Sequence, residues 1–131
     1  MLVMSRTIQA WAVPELTDRD LAVALIKLNN GLTFYVASLF CDGTKAAIQQ
    51  NVKQLVNRSI RENRELLLMG DTNAHWEVLW NSKSTCPRGR AWEDYLEDKP
   101  LAAQNIGDTF TFNTERGQTI TVPYQVIYVY L

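Results

Sequence analysis

The chain has 131 residues, of which 47% are hydrophobic and 21% charged, a composition typical of one soluble globular domain. Thirteen Lys and Arg residues against fourteen Asp and Glu residues leave a formal charge of -1, which excludes a strong overall positive field for nucleic acid or anionic membranes. No apolar run approaches the roughly 20 residues of a membrane span. We therefore expect an intracellular protein, cytoplasmic or nuclear, without membrane contact.

Cysteine and histidine usage limits the chemistry further. Cys41 and Cys86 fit neither a zinc-site spacing nor a disulfide framework, so we expect two free thiols. His75 is the single histidine, which excludes a mechanism that needs two imidazoles from this chain.

The first part of the chain predicts three strands and a helix. A weak alternation over residues 2–12 predicts an edge strand that Pro14 ends. Apolar residues 21–28 and alternating residues 32–40 flank Asn29-Asn30-Gly31, a composition that favours a tight hairpin. Residues 45–64 carry apolar side chains at helical spacing, which predicts one amphipathic helix.

The second part predicts an α/β unit followed by short strands. Residues 65–69 form a buried strand that ends at Gly70, and a strand after a helix after a strand favours a right-handed crossover. Residues 71–87 have loop composition. Residues 88–98 predict a second helix with Trp92, Tyr95 and Leu96 facing inward. Further strands are predicted at residues 101–104, 109–113, 119–122 and 125–131.

The segment Gly70-Asp71-Thr72-Asn73-Ala74-His75 carries the most chemistry, because it places an acid, an amide and an imidazole at the carboxyl end of a buried strand. On an extended chain Asp71 and Asn73 project to the same side. A carboxylate can orient or deprotonate water, and an amide N–H can stabilise a phosphate oxygen, so the pair suits phosphodiester cleavage. Asp and Asn are also common turn residues that bond their own backbone.

Five other side chains are candidates for substrate contact. Arg88 and Arg90, at the start of the second helix, can hold a phosphate, and the alternative is a solvated helix start. Trp80 can stack on a base, as can Trp76 and Trp92, and the alternative for all three is packing in or around the core.

The hexapeptide at residues 70–75 resembles the Gly-Asp-Phe-Asn-Ala-His motif of the endonuclease/exonuclease/phosphatase superfamily, most closely in the endonuclease domains of non-LTR retrotransposon polyproteins. Trp80-Asn81-Ser82 is similar to the Trp-Gly-Ser of that family, Arg88-Gly89 to its Arg-Gly, and Asn105-Ile106-Gly107 with Thr109-Phe110 to its Asn-x-Gly and Thr-Phe.

Upstream segments resemble the same family. Residues 14–21 are similar to its Pro-x-Leu-Ser-x-Arg-Asp stretch, and Val36-Ala37-Ser38-Leu39-Phe40 to its Val-Ala-Ser-x-Tyr strand. The resemblance implies a single domain over residues 1–131: an α/β fold that is part of a two-sheet β-sandwich flanked by helices, without the amino-terminal strands. It implies DNA as substrate and Mg²⁺ as cofactor. It assigns Asp71, Asn73 and His75 to the catalytic motif.

The sequence departs from the family pattern in ways that bear on activity. The family strands that supply an Asn and the principal metal-binding Glu have no counterpart here, Tyr128 stands where the family has an Asp, and the closing Ser-Asp-His is absent. An Asp and an Asn alone make a poor Mg²⁺ site, so the metal ligands stay unassigned.

Two hypotheses follow. The chain is either part of a retroelement endonuclease that is inactive in isolation, or a non-catalytic assembly or binding module. Because the tail at residues 126–131 is β-prone and uncharged and the predicted sheet leaves strand edges open, we expect a homodimer or larger homo-oligomer.

Overall fold

The computed structural model describes residues 2, 4, 7–77, 84–103, 112–114, 117–119 and 125–129. Their architecture is a six-stranded mixed sheet and a separate two-stranded ladder. The strands of the sheet, in spatial order, are β1 (Gln9–Ala12), β2 (Leu21–Lys27), β3 (Thr33–Phe40), β4 (Leu66–Asp71), β8 (Gln125–Val129) and β5 (Leu101–Ala103). The ladder consists of β6 (Phe112–Thr114) and β7 (Gly117–Thr119). The pair β3–β4 is parallel and the other neighbours are antiparallel. Among the helices of the described residues, none is long and apolar enough to cross a membrane.

The first three strands form an antiparallel meander, as the sequence predicts. Strand β1 (Gln9–Ala12) lies at the edge of the sheet and ends before the short 3₁₀ turn Pro14–Leu16. Strands β2 (Leu21–Lys27) and β3 (Thr33–Phe40) pair over their whole length. Gly31 has a φ of +86° at the tip of their hairpin, where a glycine is favoured.

Helix α1 (Gln50–Glu62) is shorter than the predicted span of residues 45–64. At its amino end the carbonyl groups of Lys45 and Ala46 accept hydrogen bonds from a distant arginine side chain. At its carboxyl end Asn63 takes the left-handed conformation, with a φ of 52°, and the N–H of Arg64 donates to the Ser59 carbonyl. This is a helix cap of the Schellman type, which ends the helix before residue 64.

The remaining elements complete the sheet. Strand β4 (Leu66–Asp71) runs parallel to β3, as expected for a crossover through α1, and extends beyond the predicted residues 65–69. Helix α2 (Pro87–Glu97) and strand β5 (Leu101–Ala103) follow it. Strand β8 (Gln125–Val129) lies within the predicted terminal strand and pairs with β4 on one side and β5 on the other, so the expectation of an open strand edge at the tail is wrong.

The ladder of β6 (Phe112–Thr114) and β7 (Gly117–Thr119) overlaps the strands predicted at residues 109–113 and 119–122. The remaining residues of those two predicted strands lie outside the described part of the chain. The expected α/β class is confirmed, since helices and a mixed sheet share one core.

One face of the sheet packs against both helices. Alternate residues of β2, β3 and β4 point to this face and are buried, including Val23, Ala37 and Leu68. Helix α1 contributes three fully buried apolar side chains, and α2 contributes Trp92 and Leu96. Trp92 and Leu96 therefore face inward as predicted, while Tyr95 is half-buried at the edge of the core.

A hydrogen-bonded network, which we call the Tyr35 anchor, joins α1 to the beginning of β3. The buried Tyr35 hydroxyl donates to Glu62 Oε2 over 2.7 Å, and Glu62 Oε1 accepts from Arg58 over 2.9 Å. The guanidinium groups of Arg58 and Arg64 lie 5.8 and 6.0 Å from the Tyr35 ring centroid, within cation–π range. The Tyr35 hydrogen bond, with both arginines, lowers the pKa of Glu62 and stabilises its charged form.

Candidate functional site

The candidate site begins where β4 passes closely beside β3. Gly70 has a φ of +153°, and a Cβ built on it would lie 1.8 Å from the Leu39 carbonyl oxygen. Only glycine fits this approach. The strand continues for one residue, Asp71, whose carbonyl accepts the Cys41 N–H over 2.7 Å. The sheet thereby delivers Asp71 to the carboxyl ends of two parallel strands, where α/β folds gather ligand groups.

Asp71 and Asn73 are linked through main-chain and side-chain hydrogen bonds. The Asn73 N–H donates to Asp71 Oδ1 over 2.8 Å, and Asn73 Nδ2 donates to the Cys41 carbonyl over 2.6 Å. Asn73 has a φ of 48°, so the chain is not extended there. The expectation that Asp71 and Asn73 are residues of one extended chain is therefore wrong. The turn-forming role of Asp and Asn thus operates here.

This geometry leaves both side chains with capacity for a ligand. Asp71 is half-buried and Asn73 exposed. No second hydrogen bond to the Asp71 carboxylate occurs among the described residues. The Asn73 amide has two N–H donors and uses one on Cys41. An acceptor and a donor are therefore available at the end of β4.

The loop of residues 72–76, which we call the site loop, is held against the start of α2 through Cys86. The His75 N–H donates to Cys86 Sγ over 3.2 Å, and the His75 carbonyl accepts the Cys86 N–H over 3.0 Å. A Cβ on Gly89 would lie 1.9 Å from that same carbonyl oxygen. The His75 main chain is thus fixed, while the residue itself remains exposed.

Cys86 is the N-cap of α2. Its sulfur also accepts the Gly89 N–H over 3.4 Å, and Pro87 occupies the first helical turn. Burial raises the pKa of the Cys86 thiol, but the main-chain N–H groups that donate to the sulfur outweigh burial and lower the pKa below its ordinary value. Cys41 differs, because burial raises its pKa to about 11 despite the nearby Arg88.

Arg88 joins the site loop to the segment that precedes α1. Its guanidinium donates to four main-chain carbonyls, those of Thr72 (3.3 Å), Asp42 (3.1 Å), Lys45 (2.6 Å) and Ala46 (3.3 Å). We call this arrangement the Arg88 clamp. The structure thus gives Arg88 a role in ordering the site, which the sequence analysis did not anticipate.

The other predicted substrate contacts fall in different places. Arg90 is exposed and lines a cavity of about 320 Å³ beside α2, with Thr85 and Asp94. Trp80 lies outside the described residues. Trp76 and Trp92 are 5% and 0% exposed, which confirms the packing alternative for these two.

The residues that the structure describes do not make a complete magnesium site. Among the described residues, no group of three or more His, Cys, Asp or Glu side chains could hold a metal ion. Asp71 offers one carboxylate and Asn73 one amide oxygen, fewer than the ligands that Mg²⁺ usually takes from a protein and its substrate.

Two features of this region were missed from the sequence. Asp20 is only 7% exposed, and its carboxylate accepts a hydrogen bond from Lys45. Phe40 is 53% exposed and is in register with Asp71. The position of Phe40 could have been predicted from the sequence, because it ends a strand that is parallel to the one that carries Asp71.

Comparison with known proteins places this geometry in context. A family model described as endonuclease-reverse transcriptase matches residues 34–122. The endonuclease domain of TRAS1, a telomere-specific non-LTR retrotransposon, is similar in structure over 97% of this chain, with 25% sequence identity and a TM-score of 0.76. An endonuclease/exonuclease/phosphatase family protein from Bacteroides thetaiotaomicron is 15% identical over 93% of this chain, with a TM-score of 0.47.

This chain spans 57% and 49% of the lengths of those two structures. Among curated proteins, no sequence matches it. The family model and the TRAS1 structure confirm the resemblance inferred from residues 70–75 and their neighbours.

Proposed function

The chain belongs to the endonuclease-reverse transcriptase family, and on that premise we propose that residues 1–131 form part of a retroelement endonuclease domain whose complete form hydrolyses DNA phosphodiester bonds with Mg²⁺. The observation that carries this proposal is the placement of Asp71 and Asn73. Both lie at the carboxyl end of β4, in a fold similar to that of the TRAS1 endonuclease domain.

The proposed roles follow from the hydrogen bonds that remain available. The Asp71 carboxylate orients or deprotonates the attacking water, because it has acceptor capacity beyond the Asn73 N–H. The second N–H of the Asn73 amide donates to a non-bridging phosphate oxygen as negative charge builds there. His75 is an exposed member of the same motif and is proposed to contact substrate.

We further propose that the 131-residue chain does not cleave DNA by itself, because its described side chains do not supply a complete metal site. Purified chain is incubated with supercoiled plasmid and Mg²⁺, and no nicked circles above a no-protein control are expected. Nicking that disappears in Asp71→Ala, and persists in the control Asp98→Ala on the exposed end of α2, would contradict this expectation.

The coding sequence upstream of Met1 supplies the test of the complete domain. Where an open frame adds strands with an Asn and a Glu at their ends, the longer product should nick plasmid with Mg²⁺. Asp71→Ala should lower its rate about 10²- to 10⁴-fold, the usual contribution of a positioned acid or base. A longer product that nicks equally well with Asp71→Ala would remove Asp71 from the mechanism.

A second candidate function is assembly, and the edge of the sheet favours it. Strand β1 is exposed at all four residues and contains neither charge nor proline. Trp11 in this strand and Ile8 just before it are 52% and 45% exposed, and Leu28 and Leu32 add apolar surface at the adjacent hairpin. Such an edge pairs readily with another strand, so we propose a homodimer or larger homo-oligomer.

Light scattering after size exclusion at micromolar concentration measures the assembly directly. A mass of about twice 15.0 kDa or more is expected. The variant Trp11→Lys places a charge on the edge and should shift the chain toward monomer. A monodisperse wild-type monomer would contradict the assembly proposal and leave the endonuclease proposal intact.

A further inference from the structure

Phe40 is an exposed aromatic residue directly beside Asp71. Leu39 and Gly70 pair in register and are buried on the face that packs against the helices. Because side chains alternate along a strand, the next pair, Phe40 and Asp71, lies on the opposite face. Neighbouring strands are about 4.8 Å apart. The two side chains are thus cross-strand neighbours on one face.

A single exposed apolar side chain is common on protein surfaces and does not by itself indicate a binding role. The position of Phe40 in the sheet does indicate one. Phe40 is the last residue of β3, at the same sheet edge where β4 delivers Asp71. Its N–H donates to the Asp20 carbonyl over 2.8 Å, which fixes the main chain on the side away from β4. The ring is therefore carried on ordered backbone at the candidate site.

A cavity of about 270 Å³ adjoins this residue on the side of β2. Phe40, Arg19, Asp20 and Ser38 are among the residues that line it. The Arg19 side chain is 90% exposed. Pockets for drug-sized ligands have volumes of roughly 300–1,000 Å³. This cavity is slightly smaller, and its volume suits one nucleobase.

The acidic groups of the cavity are already paired within the protein. The Asp20 carboxylate accepts from Lys45 and lies 3.9 Å from Arg19. The Asp18 carboxylate accepts the N–H groups of Asp20 and Leu21 and the side-chain amide of Asn51. An aromatic ring and an exposed guanidinium therefore share a small cavity in which both carboxylates are engaged.

We propose that Phe40 is a substrate-positioning residue that stacks on a nucleobase next to the cleaved phosphodiester, while Arg19 pairs with a neighbouring phosphate. The inference rests on the proposed function, since it assumes that DNA occupies the end of β4. A base has a flat π-face that an exposed phenyl ring can cover, and a guanidinium matches phosphate geometry. Phe40 takes no part in proton transfer, because phenyl has no titratable group.

The experiment measures DNA affinity in EDTA, so that binding is read without catalysis. The full 131-residue chain is titrated into a short fluorescein-labelled DNA duplex and followed by anisotropy. Phe40→Ala should raise Kd about 5- to 150-fold, the range for loss of one base–aromatic stack. Phe40→Leu should also weaken binding, whereas Phe40→Trp, which keeps a ring, should leave Kd unchanged.

The control is Gln54→Ala, which truncates an exposed, uncharged side chain on α1, away from both proposed surfaces, and should leave Kd unchanged. Arg19→Ala should weaken binding to all sequences alike and reduce the salt slope of log K by about 1. An unchanged salt slope would remove Arg19 from the proposal.

The outcomes separate this inference from the proposed function. Wild-type binding with an unchanged Kd for Phe40→Ala overturns the inference alone. A Phe40→Leu variant that binds as wild type overturns stacking, because leucine keeps apolar area without a ring. A Phe40→Ala variant that changes the oligomeric mass and not Kd assigns the residue to contact between copies. Absence of any DNA binding by the wild-type chain overturns the inference, whereas the plasmid assay of the longer product decides the proposed function separately.

Discussion

Removal of the Arg88 guanidinium should destabilise the site loop and the segment that precedes α1. In Arg88→Ala, four carbonyls that now accept from one side chain lose their donor. The bonds to Lys45 and Ala46 are exposed, so water replaces them at little cost. The bonds to Thr72 and Asp42 are partly buried. Hydrogen bonds to charged groups contribute about 1.5–3 kcal/mol each, so these two account for about 3 kcal/mol or more.

The assay is urea denaturation at neutral pH together with a thermal melt. A domain of this size loses roughly 3–5 °C of Tm per kcal/mol, so Arg88→Ala should melt about 10–15 °C lower than wild type. Arg88→Lys should recover little of this loss, because one ammonium cannot reach four carbonyls in a fork. Arg90→Ala is the matched control on the same helix, and its exposed position predicts a change within about 0.5 kcal/mol.

A particular result would refute this account of the clamp. If Arg88→Ala had the same Tm as Arg90→Ala and the same free energy of unfolding as the wild type, the four contacts would contribute no net stability. Arg88 would then be free to serve as the phosphate contact that the sequence first suggested for it.

Two further predictions concern the contact between the site loop and α2. Gly89→Ala should lower the free energy of unfolding by about 2 kcal/mol or more, because its Cβ would overlap the His75 carbonyl. The control Gly43→Ala, whose Cβ meets nothing within 4 Å, should have the Tm of the wild type, and equal Tm values for the two variants would contradict the close approach at Gly89. Iodoacetamide at pH 7–8 should alkylate Cys86 in the native chain and spare Cys41, because a pKa of about 11 keeps the Cys41 thiol protonated in this pH range. Mass spectrometry of the digested protein measures both modifications, and preferential labelling of Cys41 would contradict the prediction that Cys86 is the more reactive thiol.

Local sequence signals predicted the regular elements well. The Asn-Gly turn set the first hairpin, and the alternation of buried and exposed side chains along β3 follows the predicted faces. Helix α1 was predicted too long because helical periodicity continues into residues 45–49. The distant contact that diverts the Lys45 carbonyl from a helical hydrogen bond is invisible in a local pattern.

The candidate site was only partly predictable for the same reason. The motif at residues 70–75 identified Asp71 and Asn73 and the strand that carries them, because their chemistry and spacing are local. The uses of Arg88 and Cys86 depend on contacts across 46 and 11 residues of sequence. Their main-chain partners carry no side-chain signature, and only the folded chain reveals them.

The Tyr35 anchor and the candidate site occupy opposite ends of one strand, and this separation has an evolutionary consequence. Tyr35 and Phe40 are both in β3, and five steps of about 3.3 Å place them about 17 Å apart. Substitutions at that distance usually act additively on stability. A lineage can therefore lose or exchange residues at the site end by drift, and the anchored end still provides a selectable, folded scaffold for a new role.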